Sequence, residues 1–97
     1  MPRAYLVVSY HSISDLKTLA AYGTLTATAT AFFAGRFLAR GDAVATHERG
    51  LAERLTIVEF PSVEKAITFR ESRIHQEALR ALGDDVVHHV RIVEGLE

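Results

Sequence analysis

Five polar residues could do most of the chemistry that this sequence offers. They are Arg36, Arg40, Glu59, His89 and Arg91. Arginine and carboxylate side chains form short, charge-assisted and often bidentate pairs, so such a set can recognise an anion or join two surfaces. All five fall in segments that we predict to be strands, and their spacing could place them on one face of a sheet.

Two interpretations of this set stay open. In the structural one, which we favour, the residues pair with one another and fix the register of a dimer, because ion-pair networks often resemble functional sites. In the functional one, the arginines hold a small anionic or carbonyl-bearing ligand, while Glu59 or His75 moves a proton. A crystal structure with density beside Arg36, Arg40 and Glu59 would separate the two.

Metal and cofactor chemistry has little support in the sequence. The five histidines are His11, His47, His75, His88 and His89. No two of them are four residues apart, the spacing that puts two ligands on one helix face, and the chain has no cysteine. Phosphate-binding loops and nucleophile motifs are absent as well. We therefore predict no metal and no cofactor, and we assign no catalytic residue.

Charge and hydropathy limit the partners. The formal net charge of −1 comes from 11 basic and 12 acidic residues spread along the chain, without the cationic stripe that nucleic acid requires. The apolar run at residues 5–8 is too short for a signal segment or a membrane span. We expect a cytoplasmic protein that binds neither nucleic acid nor membranes.

The first half of the chain predicts a strand, a helix and a second strand. Residues 4–10 carry apolar side chains at both odd and even positions, which is typical of a strand that is buried on both faces. Helical spacing and N-cap residues at 11–15 predict a helix from about Ser14 to Ala31, ended by Gly35 as a C-terminal cap. Thr24 to Ala31 alternates threonine or leucine with alanine, a period of two, but alanine is depleted in strands and favours the helix.

A long hairpin follows, from Gly35 to Pro61. Its first strand, predicted at 35–48, has Arg36, Leu38 and Arg40 on one face, with a bulge or kink at Gly41 and Asp42. After a turn near Arg49 and Gly50, residues 53–60 form a return strand that is apolar on both faces and therefore central.

The last third predicts a helix and a strand. Ser62 is an N-cap for a helix that weakens around Ser72 and Arg73 and continues to a cap at Gly83. Asp84 and Asp85 then turn the chain into an edge strand over 86–93.

The order of elements is therefore β-α-β-β-α-β, which defines a ferredoxin-like α+β fold in one domain over residues 1–97. We expect a four-stranded antiparallel sheet with helices on one face, and we expect its first and third strands to lie at the centre, parallel to each other. The second face, bare and apolar, predicts a homodimer that packs sheet to sheet. Asp at position 57 should then disrupt the dimer.

Three segments resemble a known family. They are the Gly-Arg-Phe-Leu-Ala-Arg-Gly run at 35–41, the segment 54–61 ending in Glu-Phe-Pro, and Val-Glu-Gly at 93–95. Together they resemble the domain-of-unknown-function 1330 family, which belongs with the dimeric α/β-barrel proteins. The resemblance implies a ferredoxin-like homodimer without an established activity, and its characteristic polar positions fall on Arg36, Arg40, Glu59 and Ser72. The chain departs from the family pattern at Asp42, at Phe69 and Arg70, and over residues 72–75.

The resulting hypothesis is an uncharacterised homodimer that binds a small molecule or acts structurally. The candidate ligand-binding residues are Arg36, Arg40, Glu59, Ser72 and His75. The alternative is a small cofactor-independent enzyme, resembling monooxygenases or isomerases of similar architecture, with a pocket beside the sheet.

Overall fold

The computed structural model describes residues 2–12, 16–48, 50, 53–82 and 87–96. Its elements, in chain order, are β1 (Ala4–Ser12), α1 (Leu16–Phe32), β2 (Arg36–Asp42), β3 (Arg54–Phe60), α2 (Val63–Glu71), α3 (Arg73–Leu82) and β4 (Val87–Glu94). The predicted N-cap at Ser14 and Asp15, the turn at Arg49, and the cap and turn at 83–85 lie outside the described residues. The predicted order is confirmed, with the second helix divided in two.

The four strands form one antiparallel sheet in the order β2-β3-β1-β4. This confirms the ferredoxin-like fold, the central places of β1 and β3, and the edge position of β4. The expectation that β1 and β3 are parallel is wrong, because they pair antiparallel. The physical reason lies in the connections: α1 carries the chain back so that β2 runs in the direction of β1, and the hairpin then reverses β3.

Alternation along the strands divides the sheet into two unlike faces. The buried strand residues are Ala4, Leu6, Val8, Tyr10, Thr56, Val58 and Phe60. These side chains point toward the helices, because residues at alternate positions of a strand share a face. We call the other side the open face, formed by Tyr5, Val7, Ser9, Arg36, Ala39, Leu55, Ile57, Glu59, His89, Arg91 and Val93. The helices therefore leave the open face bare.

The alternating segment is helical, as predicted. α1 turns Tyr22, Thr26 and Ala29 toward the core, at the spacing of one helix face. The exposed hydroxyls of Thr24 and Thr28 donate to carbonyl oxygens one turn earlier, at 3.2 and 3.3 Å, so these hydroxyls bond within the helix. No helix in the described part of the chain is both long and apolar enough to cross a membrane.

The end of α1 differs from the prediction in one residue. Ala34, not Gly35, has the left-handed backbone, with φ of 62°. The amide of Ala34 donates to the carbonyl of Ala31 at 3.1 Å, and the amide of Gly35 donates to that of Thr30 at 2.8 Å, which is a Schellman motif. Gly35 serves packing instead: a Cβ there would lie 2.7 Å from the side chains of both Phe60 and Thr30.

β2 contains the bulge that the sequence suggested, but at a different residue. Phe37 pairs with Val58 and Ala39 with Ile57, so the pairing skips Leu38. Gly41 pairs regularly, and the expected bulge at Gly41 and Asp42 is wrong. The strand also ends at Asp42, so residues 44–48 do not continue it.

The second helix breaks at Ser72, where its apolar pattern weakens. Ser62 accepts a hydrogen bond from the amide of Lys65 at 3.2 Å, which confirms the predicted N-cap of α2. At the break, the Ser72 hydroxyl donates to the carbonyl of Phe69 at 2.7 Å and accepts from the amide of His75 at 3.2 Å. Ser72 therefore ends α2 and caps α3.

The two residues at the end of α1 predict opposite effects of exchanging alanine and glycine. Ala34→Gly should raise stability by about 0.5 to 1 kcal/mol, because glycine adopts the left-handed backbone without steric cost. Gly35→Ala should lower it by about 1 to 3 kcal/mol, because its Cβ would overpack the core against Phe60. Thermal melts measure both. Equal shifts of the same sign would contradict this assignment of roles.

Candidate functional site

Arg36 and Glu59 form an ion pair at one edge of the open face. Arg36 Nη2 lies 3.1 Å from Glu59 Oε1, and the Tyr5 hydroxyl donates to Oε2 at 3.3 Å. Arg3 Nε approaches Oε1 at 3.9 Å. The Glu59 side chain is 14% exposed while that of Arg36 is 71% exposed. Glu59 is thus already held by two arginines and a phenol, and this pairing agrees with the structural interpretation.

The five polar residues do not form a single cluster. His89 and Arg91 lie on β4, the opposite edge from β2, and three strand spacings of about 4.8 Å put them more than about 14 Å from Arg36. Arg40 pairs with Thr56, a buried residue, so it lies on the helix face. The expectation that Arg40 shares a face with Arg36 is wrong, because the bulge at Leu38 reverses the alternation.

Arg40 instead stands at the mouth of a cleft between α1 and the helix face of the sheet. The cleft has an outer cavity of about 50 Å³ bounded by Gly23, Arg40 and Arg54. A neighbouring inner cavity of about 20 Å³ is bounded by Phe69, Arg70 and His75. Side chains that line both cavities are Tyr10, Tyr22, Thr26, Phe37 and Thr56. Outside, an open groove of about 650 Å³ runs along α1 past the same two arginines.

The mouth of the cleft carries positive charge. The Arg40 guanidinium carbon lies 3.9 Å from the centre of the Phe37 ring, a cation–π contact that holds it over the opening. Arg54 enters the mouth from β3. At Gly23 a Cβ would meet nothing within 4 Å, so this glycine leaves the opening clear where α1 crosses it.

His75 closes the inner end. The cap at Ser72 sets the first turn of α3, and the His75 ring then packs on Phe69 with ring centres 4.5 Å apart. Arg70 Nη1 lies 2.7 Å from His75 Nε2. His75 is 2% exposed, and its Nδ1 has no hydrogen-bond partner among the described residues. Burial, with the charges of Arg70 and His88, lowers the pKa of His75 to about 4, so the ring is neutral at pH 7.

The remaining polar groups of the cleft differ in how well they are satisfied. Burial is the main cause that raises the pKa of Tyr10; its side chain also hydrogen-bonds with Tyr22 and Thr56. Thr26 is buried too, yet its hydroxyl has no partner in the described structure, unlike Thr24 and Thr28 on the outer side of α1. Buried polar atoms are nearly always paired, so Thr26 Oγ1 and His75 Nδ1 are unusual.

The sequence indicated only part of this arrangement. Of the candidate residues, Arg40 and His75 line the cleft, Ser72 acts on it through the position of His75, and Arg36 and Glu59 lie on the opposite face. It did not indicate Tyr10, Tyr22 or Thr26. A signal was present, since Tyr22 and Thr26 are four residues apart on the core side of α1. No group of three or more potential metal ligands occurs within the described ranges.

Comparison with known families identifies the class of protein that this fold and cleft define. The model of a domain of unknown function (DUF1330) matches residues 3–96. The chain therefore belongs to the DUF1330 family, as its three motifs suggested. A search of curated protein sequences finds no match.

Solved structures with the same fold include proteins of unknown function and an oxygenase. A protein of unknown function from Rhodopseudomonas palustris has 14% identity and a TM-score of 0.73, covering 99% of this chain and 84% of its own. A dimeric ferredoxin-like protein of unknown function from Thermobifida fusca has 8% identity, a TM-score of 0.66 and coverages of 96% and 91%. SnoaB, a cofactor-independent oxygenase from Streptomyces nogalater, has 13% identity and a TM-score of 0.61, and the match covers 100% of this chain and 96% of SnoaB. At these identities the likeness shows the fold alone.

The depressed pKa of His75 predicts a specific loss of stability in acid. Between pH 6.5 and about 4 the unfolded chain takes up a proton on this residue and the folded chain does not, so the free energy of unfolding falls as pH falls. The loss should reach about 3 kcal/mol at pH 4.

Urea unfolding from pH 7 to pH 4 measures this effect as a difference between variants. His75→Gln should lose about 3 kcal/mol less than the wild type over that range. The control is His47→Gln, a substitution at an exposed histidine, and it should follow the wild type. Parallel curves for all three proteins would show that His75 does not titrate in this way.

Proposed function

We propose that this protein is a homodimer that binds a small organic anion in the cleft between α1 and the sheet. The observation that carries the proposal is that two buried polar atoms without a partner among the described residues, Thr26 Oγ1 and His75 Nδ1, belong to side chains lining the inner cavity. An unpaired buried polar group costs about 1 to 3 kcal/mol, which a bound ligand with matching groups would recover.

The charge of the cleft favours an anion. Arg40 and Arg54 stand at its mouth and Arg70 lies at its inner end. Between the two ends the walls are aromatic and apolar, so an anion with a flat apolar body fits their chemistry.

The open face supports the dimer. Its centre is apolar, with Val7 and Ile57 on the central strands. On the edge strand β4, Val93 is 55% exposed. A four-stranded sheet presents roughly 300 Å² in flat projection, near the upper range of apolar patches that monomers leave exposed. A second copy packing on this face would cover it, and the ferredoxin-like protein from Thermobifida fusca that has this fold is also dimeric. The Arg36–Glu59 pair would then help to set the register.

Binding, rather than oxygenation, is what these residues support. The oxygenase activity belongs to the Streptomyces protein, and 13% identity carries only the fold to this chain. Glu59, which the sequence offered as a proton carrier, lies on the other side of the sheet from the cleft.

Gly23 provides a test of the cleft as the binding site. Gly23→Leu should abolish binding of benzoate, because the new side chain would occupy the mouth, while fold stability stays equal or rises by about 1 kcal/mol since leucine favours helices. Calorimetric titration of benzoate measures the affinity. The control is Ala21→Leu, at an exposed position of the same helix outside the cleft lining. Equal affinities for both variants would place the site elsewhere, and no binding to the wild type would overturn the proposal.

The dimer is tested through Ile57. Ile57→Asp should dissociate it, because an unpaired charge buried in the interface costs several kcal/mol. Ile67→Asp, on the exposed surface of α2, is the matched control and should leave assembly unchanged. Light scattering at micromolar concentration should give twice the 10.7 kDa chain mass for the wild type and the control. A monomeric wild type, or a dimeric Ile57→Asp variant, contradicts the proposal.

A further inference from the structure

The contact between Arg70 and His75 determines which ring nitrogen carries the proton. Arg70 Nη1 lies 2.7 Å from His75 Nε2, within hydrogen-bond distance. A guanidinium has only N–H donors and no acceptor, so Nε2 must accept and cannot itself be protonated. A neutral imidazole has one N–H. The hydrogen must therefore be on Nδ1.

His75 Nδ1 is consequently a hydrogen-bond donor that has no acceptor among the described residues. The residue is buried, lines the inner cavity, and its Nδ1 has no partner in the described structure. Capping by Ser72 and packing on Phe69 fix the ring in place. The same arrangement opposes a second proton on the ring, because an imidazolium would present an N–H to the Arg70 guanidinium.

We infer that the inner end of the cleft is a donor pocket that receives one oxygen of a carboxylate through His75 Nδ1–H. This inference rests on the proposed anion-binding function and specifies how that site recognises its ligand. The inner cavity of about 20 Å³ has room for a group the size of one water molecule, so a single oxygen enters it while the body of the ligand occupies the outer cavity and groove.

Two further groups favour an anionic oxygen over a neutral one. Arg70 lines the same inner cavity, and its positive charge favours a carboxylate there. Thr26 lines the same inner cavity, and its hydroxyl, without a partner among the described residues, would serve as a second donor to an oxygen bound there. His75 then acts as a positioning donor for the ligand. It is not the proton-moving base that the sequence suggested, because its free nitrogen already holds a hydrogen.

The tautomer is tested on the wild-type protein without any ligand. Nitrogen-15 NMR of the imidazole ring at pH 7 should show Nδ1 protonated and Nε2 unprotonated. Arg70→Met removes the donor that occupies Nε2, and the proton should then redistribute toward Nε2. A wild-type ring with its hydrogen on Nε2 overturns the inference even if benzoate binds, and it leaves the anion-binding function intact.

Ligand recognition is tested with three probes of similar shape. Benzoate should bind and shift the Nδ1 resonance of His75; methyl benzoate, a neutral acceptor, should bind roughly tenfold or more weakly, since charged hydrogen bonds are the stronger ones. Benzylamine, which is a cation with only donors at pH 7, should not bind. Equal affinity for benzoate and benzylamine overturns the donor pocket. Benzoate that binds without moving the Nδ1 resonance also overturns it.

A matched pair of amide variants separates the two sides of the ring. His75→Asn places an amide near the position of Nδ1 and can keep the donor, whereas His75→Gln places it near Nε2, facing Arg70. We expect benzoate to bind His75→Asn at least roughly tenfold more tightly than His75→Gln. Equal affinities would contradict the inference. If either variant fails to fold, the wild-type tautomer and the three probes still decide it.

Discussion

The ring of Phe69 packs the helix layer against the sheet. It is fully buried and lies 5.0 Å from the Phe60 ring on β3, 6.2 Å from the Phe33 ring just beyond α1, and 4.5 Å from the His75 ring on α3. One aromatic side chain thus fixes the sheet and the helix layer to each other at one end. Away from this cluster the close packing gives way to the cleft, whose inner wall is the same Phe69. The cleft therefore begins where this aromatic cluster ends.

A single sheet serves two purposes by presenting a different face to each. The core and the cleft are lined by the strand residues that point toward the helices. The strand residues between them form the open face, with the apolar side chains that a second copy would cover. The Arg36–Glu59 pair belongs to the open face and Arg40 to the cleft, so two arginines of one short strand lie on opposite faces of the sheet. On this arrangement the proposed interface and the proposed binding site would depend on different residues.

The fold followed from the sequence because its signals are local. Strand alternation, the cap at Ser62, the weakened helical pattern around Ser72 and the alanines of α1 act over a few residues, and the structure agrees with each of them. The direction of β3 relative to β1 was misjudged, although it follows from the connections. The expected face of Arg40 is wrong because a bulge depends on pairing with another strand.

The end of α1 and the cleft depend on contacts between distant residues. Glycine usually takes the left-handed position at a helix end, which favoured Gly35, but close contact with Phe60 gives this glycine another role. The cleft could not be predicted, since it is bounded by residues from all seven helices and strands.

The bulge at Leu38 also affects how related chains should be compared. Since Leu38 has no partner in the ladder, a chain that lacked it could pair the remaining residues of this strand in the same order. Arg36 and Arg40 would keep their present faces, although they would then be three positions apart instead of four. Two arginines at different spacings in two sequences can therefore be structurally equivalent, while an identical spacing without the bulge would put both on one side. Residue spacings along this strand can be compared between two sequences only when the position that each strand leaves unpaired is known.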